Sequence, residues 1–472
     1  MIMNIRTIIS IGLFLCMGSW LCSCEEKEMD ESLPINPVLN PILSVTAQDG
    51  NQIATAVISN NDLTIHLELA NLRAEERKAV PVKIHISKRA KLIAPTDTVL
   101  TLDLTQPHLI TINNLYKDVT YTLTASAPFR IELWRKTATE LAFVKHNNGA
   151  IAFSGDYLVV HERTKFDYYK LKDGAKAGTL SFEGIDWDTL TRTVPLFMAG
   201  DEAGNIVACN FYMSRWMPAG GTNTIHMFWW EGVAAKPKLL FSYDVEIDKP
   251  GNIDVGRKIY VRGDMTKHAF LYMGVSFQNM FLRWEIQNGQ VVSAQPDKIE
   301  YDPGYQMGTQ PTIVPATLGK NANYFIARYE DGAGKVAITY MDGTTHQPIY
   351  ASEHHIQNIF HQWLGGGHAF DYVPINGKHY IFMIEQKAES WMREVFDVKK
   401  VIEAPNSIGS IMDLIHTRKW NDWLDFPIDP LYGKNSNNTG DVVARVSPDG
   451  KTATVAFLCT NSGVIVWEIN TE

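Results

Sequence analysis

Cys24 is the first residue of the chain whose neighbours predict a chemical modification. It follows Leu21-Cys22-Ser23. An apolar residue three positions before a cysteine and a small one directly before it are typical of the site at which bacterial lipoproteins are cleaved and lipidated. Arg6 is the only charged residue of this segment, and the apolar run over residues 8–17 is too short to span about 30 Å of hydrocarbon. We therefore predict a lipoprotein signal peptide over residues 1–23 and a lipid on Cys24, with an ordinary secretory signal as the alternative.

A second set of residues could bind a ligand, because aromatic rings stand beside acids and arginines. Aromatic rings offer flat apolar area with a polar edge, on which the C–H faces of sugars can stack while charged neighbours bond the hydroxyls. The aromatic members are Trp187, Trp216, Trp363, Trp391, Trp420, Trp423 and Tyr305, together with Tyr301. The polar members are Asp186, Asp188, Arg215 and Arg393. The alternative is that these rings are buried in small local cores.

Other chemical signals are weak. The histidines between residues 354 and 368 lack the spacing of metal ligands, and residues 365–367 (Gly-Gly-Gly) have no helix signal after them, so neither a metal nor a cofactor is predicted. No Gly-x-Ser-x-Gly elbow is visible. Carboxylates of the aromatic segments could supply an acid and a base about 5 to 9 Å apart, as glycoside hydrolysis requires, but the sequence singles out no pair and the catalytic residues are unknown.

The composition excludes two classes of protein. The chain has 43 basic against 52 acidic residues, a formal net charge of −9, which argues against nucleic-acid binding. Of 5 cysteines, only Cys209 and Cys459 lie beyond the lipidation segment, and both stand in apolar runs. We interpret them as small core residues, so the fold is not held by disulfides and needs a hydrophobic core.

The chemistry-bearing residues must be positioned by strands, since helix signals are few. Residues 24–40 are acidic and then Pro-rich, and predict an extended tether. Residues 41–128 contain short alternating runs without tryptophan or cysteine, which predict an immunoglobulin-like β-sandwich. Residues 129–472 form a third segment with a repeating pattern. The chain is therefore predicted to be all-β.

The repeat of the third segment is a strand that ends in an aromatic or apolar cluster, at intervals of roughly 55 to 70 residues. These strands lie near residues 166–169, 227–230, 281–284, 336–340, 395–398 and 464–467. Two strands precede each and one follows, except that the last repeat has no fourth strand. Residues 129–134 form an unassigned strand that could complete it. We predict a β-propeller closed by its N-terminal strand, with six blades and seven as the alternative.

The loops of such a propeller divide between two faces. Loops between first and second strands, and between third and fourth, are short turns such as residues 200–204, 376–377 and 448–450. They contain no tryptophan, and we call this side the plain face. Loops between second and third strands and between blades hold the aromatic residues given above. We call that side the aromatic face and predict that it binds the ligand.

The lipidation site with Glu25 and Glu26 directly behind it resembles the surface-export signal of Bacteroidota lipoproteins. The chain as a whole resembles uncharacterised lipoproteins of that group, which pair an immunoglobulin-like domain of unknown function with a C-terminal propeller-like domain. The resemblance implies association with nutrient capture, including glycan uptake, and carries no catalytic residue over.

The leading hypothesis is a cell-surface lipoprotein that binds a glycan or other extracellular ligand on its aromatic face. We therefore expect a binding protein in preference to an enzyme. One alternative is a propeller glycoside hydrolase or polysaccharide lyase that uses carboxylates of the same face. The other is a protein–protein scaffold of an outer-membrane complex. We expect an outer-membrane location facing the exterior, with the periplasmic face as the alternative. Membrane contact would be through the lipid alone, and outer-membrane uptake proteins are the expected protein partners.

Overall fold

The computed structural model of the protein describes residues 39–73, 75–127, 129–143, 149–162, 165–185, 197–214, 223–248, 253–302, 307–308, 310–330, 335–351, 356–357, 369–386, 391–397 and 440–471. The chain divides into two compact units, one formed by residues 1–69 and 75–126 and the other by residues 70–74 and 127–472. Within the described ranges, no helix is long and apolar enough to cross a membrane.

The described residues of the N-terminal unit form two sheets and one short helical turn. Its strands are β1 (Ile42–Asp49), β2 (Gln52–Thr55), β3 (Val57–Ser59), β4 (Thr64–Glu68), β5 (Val80–Ile86), β6 (Lys91–Ala94), β7 (Val99–Leu102), β8 (His108–Asn113) and β9 (Asp118–Ser126), and the 3-10 turn is Glu76–Ala79. One sheet has the order β2-β1-β5-β7 and the other β3-β4-β9-β8-β6. All pairs are antiparallel except β4 with β9, which is parallel.

Alternation explains why these segments form sheets with one buried face. In β5 the side chains at Val80, Val82 and Ile84 are buried and those between them are exposed, since successive side chains of a strand point to opposite faces. The alternating runs behind this prediction, residues 42–45, 63–67, 82–86, 99–102 and 119–124, overlap strands β1, β4, β5, β7 and β9. The short strands β2, β3, β6 and β8 were not predicted, and the immunoglobulin-like assignment stays a prediction.

The C-terminal unit contains six sheets in its described residues. The strands of the first three are β11 (Ile151–Ser154), β12 (Tyr157–Glu162), β13 (Lys165–Lys170), β14 (Lys176–Thr179), β15 (Phe197–Gly200), β16 (Ile206–Cys209), β17 (Tyr212–Met213), β18 (Thr224–Trp230), β19 (Lys238–Asp244), β20 (Asp254–Asp264), β21 (His268–Ser276), β22 (Met280–Gln287), β23 (Gln290–Val291) and β24 (Asp297–Glu300). Those of the other three are β25 (Ile313–Pro315), β26 (Tyr324–Glu330), β27 (Lys335–Met341), β28 (Pro348–Ala351), β29 (Ile356–Gln357), β30 (Ala369–Ile375), β31 (Lys378–Gln386), β32 (Trp391–Asp397), β33 (Gly440–Val446), β34 (Thr452–Cys459), β35 (Gly463–Asn470) and the N-terminal β10 (Arg130–Thr137).

The six sheets form a ring around their first strands. Each first strand contacts that of the next sheet in the order β11, β15, β20, β25, β30 and β33, and β33 contacts β11 again. The apolar core lies between neighbouring sheets, as where Val207 and Met227 of the second sheet cluster with Ile259 and Leu271 of the third. Sheets packed face to face around a common axis are the arrangement of a β-propeller. The number of blades stays a prediction, because residues 398–439 lie outside the described ranges.

The N-terminal strand closes the ring. The last sheet has the order β10-β35-β34-β33, so the strand predicted over residues 129–134 pairs with the end of the chain. The ladder runs from Arg130 opposite Ile469 to Thr137 opposite Gly463. Trp134 of β10 is buried in the core shared with the first sheet, where its Nε1 donates to the Leu171 carbonyl at 3.0 Å.

We expect Trp134→Ala to destabilise the propeller by about 3–5 kcal/mol, because it leaves a cavity where β10 packs and removes a buried hydrogen bond. Glu132→Ala on the same strand is the control, since Glu132 pairs with Arg135 at the surface and should cost under about 1 kcal/mol. Urea unfolding followed by circular dichroism measures both. Equal, small shifts of the midpoint would contradict a closing role for β10.

Candidate functional site

Most residues of the predicted aromatic site lie outside the described part of the structure. These are Trp187, Trp216, Trp363, Trp420, Trp423, Tyr305, Asp186, Asp188 and Arg215, and the same holds for Cys24. Trp391 and Arg393 lie within β32 and not in the loop before it, because the β31–β32 ladder already begins with Gln386 opposite Trp391. Tyr301 does not belong to an open platform: it is 5% exposed and its ring lies 6.5 Å from that of Phe281.

The described residues contain a different candidate, a cavity of about 360 Å³ along the propeller axis. First strands of five sheets line it, contributing residues of β11, β15, β20, β30 and β33. Its outer lining includes Glu202, Pro374, Arg445 and Val446, at or just beyond the C-terminal ends of first strands, and we call this group the mouth. Glu202 and Pro374 are exposed. The mouth therefore lies on the plain face, where the sequence predicted no site.

Strand β20 supplies three polar side chains to this cavity at alternate positions. Lys258, Tyr260 and Arg262 line it, and Ile259 and Val261 between them both border the cavity and belong to the core shared with the second sheet. The two-residue period of a strand produces this division, because one set of side chains must face the axis when the other packs between the sheets.

The deepest polar contact is an ion pair between opposite parts of the ring. Lys258 Nζ on β20 donates to Asp441 Oδ1 on β33, and both side chains are at most 5% exposed. Asp441 also accepts the backbone N–H groups of Ile151 and Val442, each at 2.9 Å. Burial raises the pKa of Asp441, and the charge and hydrogen bond of Lys258 oppose that shift. The pair ties three sheets together across the axis.

Asp371 forms a second buried carboxylate on the cavity wall. It accepts the Tyr260 hydroxyl at 2.8 Å and the backbone N–H groups of Ala444 at 2.7 Å and Tyr372 at 2.8 Å. Burial raises its pKa, and the nearby charge of Arg262 opposes the shift. Burial likewise raises the pKa of Tyr260 well above its usual value, so the hydroxyl stays protonated and acts as a donor to Asp371.

Arg262 bridges the second and fourth sheets at the mouth. Its Nη2 and Nε donate to the Pro315 carbonyl at 2.6 and 3.1 Å, and its Nη1 lies 3.3 Å from Glu202 Oε1. Burial lowers the pKa of the guanidinium, but the attraction of Tyr260, Asp371 and Glu202 outweighs it and the pKa is raised. Arg262 is therefore a permanently charged group within reach of the cavity.

Asp201, also on the cavity wall, is engaged in turn structure and has little capacity left for a ligand. Its carboxylate accepts the Asn205 N–H and side-chain amide, both at 2.7 Å, and the Met265 N–H at 2.8 Å. These bonds fasten the turn after β15 to the turn after β20. Burial raises its pKa, and the bonds from Asn205 and Met265 oppose the shift.

Arg445 stands on the opposite side of the mouth. Its Nη1 donates to the Gly155 carbonyl at 2.6 Å, and its guanidinium carbon lies 5.1 Å from the centre of the Phe153 ring. Burial lowers its pKa, and the charge of Asp156 opposes that shift. Within the described part of the chain it forms no ion pair with a carboxylate.

Sequence reasoning missed this site because it looked for chemistry in loops. The signal was present as charged residues four positions apart, and thus on one face, in strands rich in apolar residues, such as Lys258 and Arg262 in β20 or Asp441 and Arg445 in β33. The interpretation of the two cysteines is confirmed. Cys209 and Cys459 are buried free thiols, as expected for core residues. No group of metal-ligating side chains occurs among the residues with described positions.

We expect Lys258→Met to destabilise the protein by about 3–5 kcal/mol at neutral pH, because Asp441 would keep a buried charge without its partner. The loss should shrink as the pH falls. Without Lys258 the folded-state pKa of Asp441 lies further above its unfolded value, so protonation favours the folded state and stability is lost as the pH rises through that pKa.

Unfolding by urea at pH 5 and pH 8 measures both effects. The control is the double variant Lys258→Met with Asp441→Leu, which removes the buried charge and should recover much of the loss. A single variant whose loss of stability is independent of pH would contradict this account of the pair.

Comparison with known proteins places the chain in a structural context. Among solved structures it is similar to a DUF4623 family protein from Bacteroides eggerthii, with 15% identity, a TM-score of 0.50, and 91% of this chain and 98% of that chain covered. An α-L-arabinanase from Penicillium chrysogenum gives 8% identity and a TM-score of 0.42 over 73% of this chain and 98% of that chain. An α-L-arabinofuranosidase from Fusarium graminearum gives 10% identity and a TM-score of 0.41 over 72% of this chain and 98% of that chain.

At 15% identity, the similarity to the DUF4623 family protein concerns the fold alone. No curated protein matches the chain. A family model described as "Domain of unknown function (DUF8500)" matches residues 133–465, a stretch that begins within β10 and ends within β35. The matched region is well over half of the chain, and the protein therefore belongs to the DUF8500 family.

Proposed function

We propose that this protein is a lipid-anchored binding protein of the cell surface that holds part of a glycan in the axial cavity of its propeller. The observation that carries the proposal is the cavity itself. At about 360 Å³ it falls within the range of small-molecule sites, which are concave and have a few well-placed polar groups. Here those groups are donors and acceptors fixed by their own hydrogen bonds.

The chemistry of the lining suits a ligand rich in hydroxyl groups. Glu202 is an exposed acceptor at the mouth, Arg262 is a donor beside it, and the Tyr260–Asp371 pair lies further in. Each hydroxyl of a sugar can donate and accept, so it can bond to both kinds of group. Apolar wall residues such as Phe153 and Val373 offer surface for C–H groups between these contacts.

The aromatic residues predicted from the sequence remain a separate part of the proposal. If they line an open cleft, the glycan chain is bound on the aromatic face and the axial cavity is not its site. The lipid on Cys24, the surface location and the link to nutrient capture are proposed on the sequence pattern and its resemblance alone, as are six blades and an immunoglobulin-like N-terminal unit.

We expect Glu202→Gln to weaken binding of the preferred glycan about tenfold, because the amide keeps an acceptor oxygen but loses the charge that strengthens its hydrogen bond to the ligand. Glu183→Gln is the matched control, since Glu183 is another exposed glutamate with a lysine partner, Lys236 at 2.7 Å, away from the cavity lining. A panel of soluble polysaccharides and oligosaccharides, followed by isothermal titration calorimetry of any ligand found, provides the measurement.

A second set of variants separates the two faces. Trp187, Trp216, Trp363 and Trp391 are changed together to Ala. Loss of binding in this variant alone would assign the ligand to the aromatic face, against the cavity. No binding to any member of the panel would refute the glycan function as a whole.

Asp371 favours glycoside hydrolysis as the second candidate function. A buried carboxyl with a raised pKa is the type of group that acts as the general acid, and Glu202 is a second carboxylate of the same cavity. If the protein is such an enzyme, new reducing ends appear during incubation with the bound glycan and Asp371→Asn abolishes them. Glycan that is bound and recovered intact would exclude this candidate.

A further inference from the structure

Three cations line the axial cavity, and they differ in how they are neutralised. Lys258 is paired with Asp441, and Arg262 lies 3.3 Å from Glu202. Arg445 forms no such ion pair with a carboxylate in the described part of the chain. Its one hydrogen bond runs from Nη1 to the Gly155 carbonyl at 2.6 Å, and the Phe153 ring lies beside it. A guanidinium has five N–H donors in a planar fork, so most of those of Arg445 remain available.

The position of Arg445 makes these donors useful to a ligand. The side chain is partly buried and belongs to the cavity lining, so a bound group would meet it away from bulk water. The contacts to Gly155 and Phe153 hold the guanidinium in place before any ligand arrives, which lowers the entropy cost of binding. Burial also lowers its pKa, and the charge of Asp156 opposes that shift only in part, the direction expected of a cation whose charge is not fully compensated.

The charges of the surrounding wall limit which anion can bind. Asp441 is the partner of Lys258, Glu202 is the partner of Arg262, and Asp201 and Asp371 add two further carboxylates to the wall. The second charge of a phosphate would therefore meet a wall on which Arg445 is the one cation without a carboxylate partner among the described residues. A single carboxylate would instead be matched by Arg445 through two parallel N–H···O bonds, the geometry in which arginine binds carboxylates best.

We propose that the mouth of the cavity recognises a monocarboxylate that also bears hydroxyl groups, such as a uronic acid residue, with Arg445 binding its carboxylate. This inference rests on the proposed function and specifies the class of sugar. The hydroxyls of the same residue would face Glu202 and Arg262 across the mouth. Neutral sugars have no carboxylate and would therefore not form the ion pair with Arg445.

The experiment compares four ligands by isothermal titration calorimetry on the full-length protein: galacturonate, its methyl ester, galactose and galactose 6-phosphate. We expect galacturonate to bind at least about tenfold more tightly than the other three ligands. The ester and galactose lack the charge that pairs with arginine, and the phosphate brings a second charge for which the described lining of the cavity has no partner. An ester that binds as tightly as the acid would overturn the proposal, as would a preference for the phosphate.

Variants then identify the residue. Arg445→Gln should remove the preference for the acid over the ester, and Arg445→Lys should keep part of it, because the charge remains while the fork is lost. Arg135→Gln, a surface arginine paired with Glu132 on β10, is the matched control and should bind like the parent protein. Thermal unfolding without ligand verifies that each variant is folded. A preference for the acid that survives in a folded Arg445→Gln protein would refute the role of Arg445.

The outcomes separate this inference from the proposed function. Neutral and acidic glycans that bind equally well would leave the glycan function standing and overturn carboxylate recognition. Gluconate, which carries the same groups without a sugar ring, serves as the converse probe. If gluconate binds and depends on Arg445 while no glycan of the panel binds, carboxylate recognition is supported and the glycan function is refuted.

Discussion

A ring of sheets is stable only when its two ends meet, because each sheet has two apolar faces and both need a neighbour. In this protein the core is divided among the interfaces between consecutive sheets, as in the clusters that join Phe166 of β13 to Trp230 of β18, or Phe382 of β31 to Val455 of β34. The pairing of β10 with β35 completes the sheet that packs against β11–β14. An open ring would expose one such interface and one unpaired strand edge, so the remaining contacts depend on this ladder.

Closure of the ring also creates the cavity along the propeller axis. First strands brought side by side leave room along the axis, and the two-residue period sends every second side chain there. The chain fills that space with charged groups that are paired or hydrogen-bonded, as for Lys258 with Asp441 and Tyr260 with Asp371. Bonds between turns brace the mouth, including Met265 N–H to Asp201 and Asn376 N–H to the Gly450 carbonyl. The cavity is thus held open by a rim of fixed turns, the preorganisation that a binding site needs.

The sequence predicted the propeller well and its cavity poorly, for physical reasons. Strands such as β21 and β34 are long apolar runs bounded by turns, so local residue types identify them, and the missing fourth strand of the last repeat pointed to β10. A single strand was predicted to follow residues 281–284, whereas the sheet pairs β22 with both Gln290–Val291 and Asp297–Glu300. The cavity depends on contacts such as that between residues 258 and 441, and no local pattern encodes which charges meet across a ring.

The ladder between β10 and β35 also determines how the protein responds to a pulling force. Residues 127–129 are all that separate β9 of the N-terminal unit from β10. Tension applied to the chain from the N-terminal side would reach the propeller at Arg130, whose ladder partner is Ile469. The bonds of an antiparallel ladder would then be loaded one after another from that end, and Trp134 is the first buried side chain of β10 that resists separation. A protein held by its N-terminus while its propeller grips a bound polymer would be limited in strength by this strand.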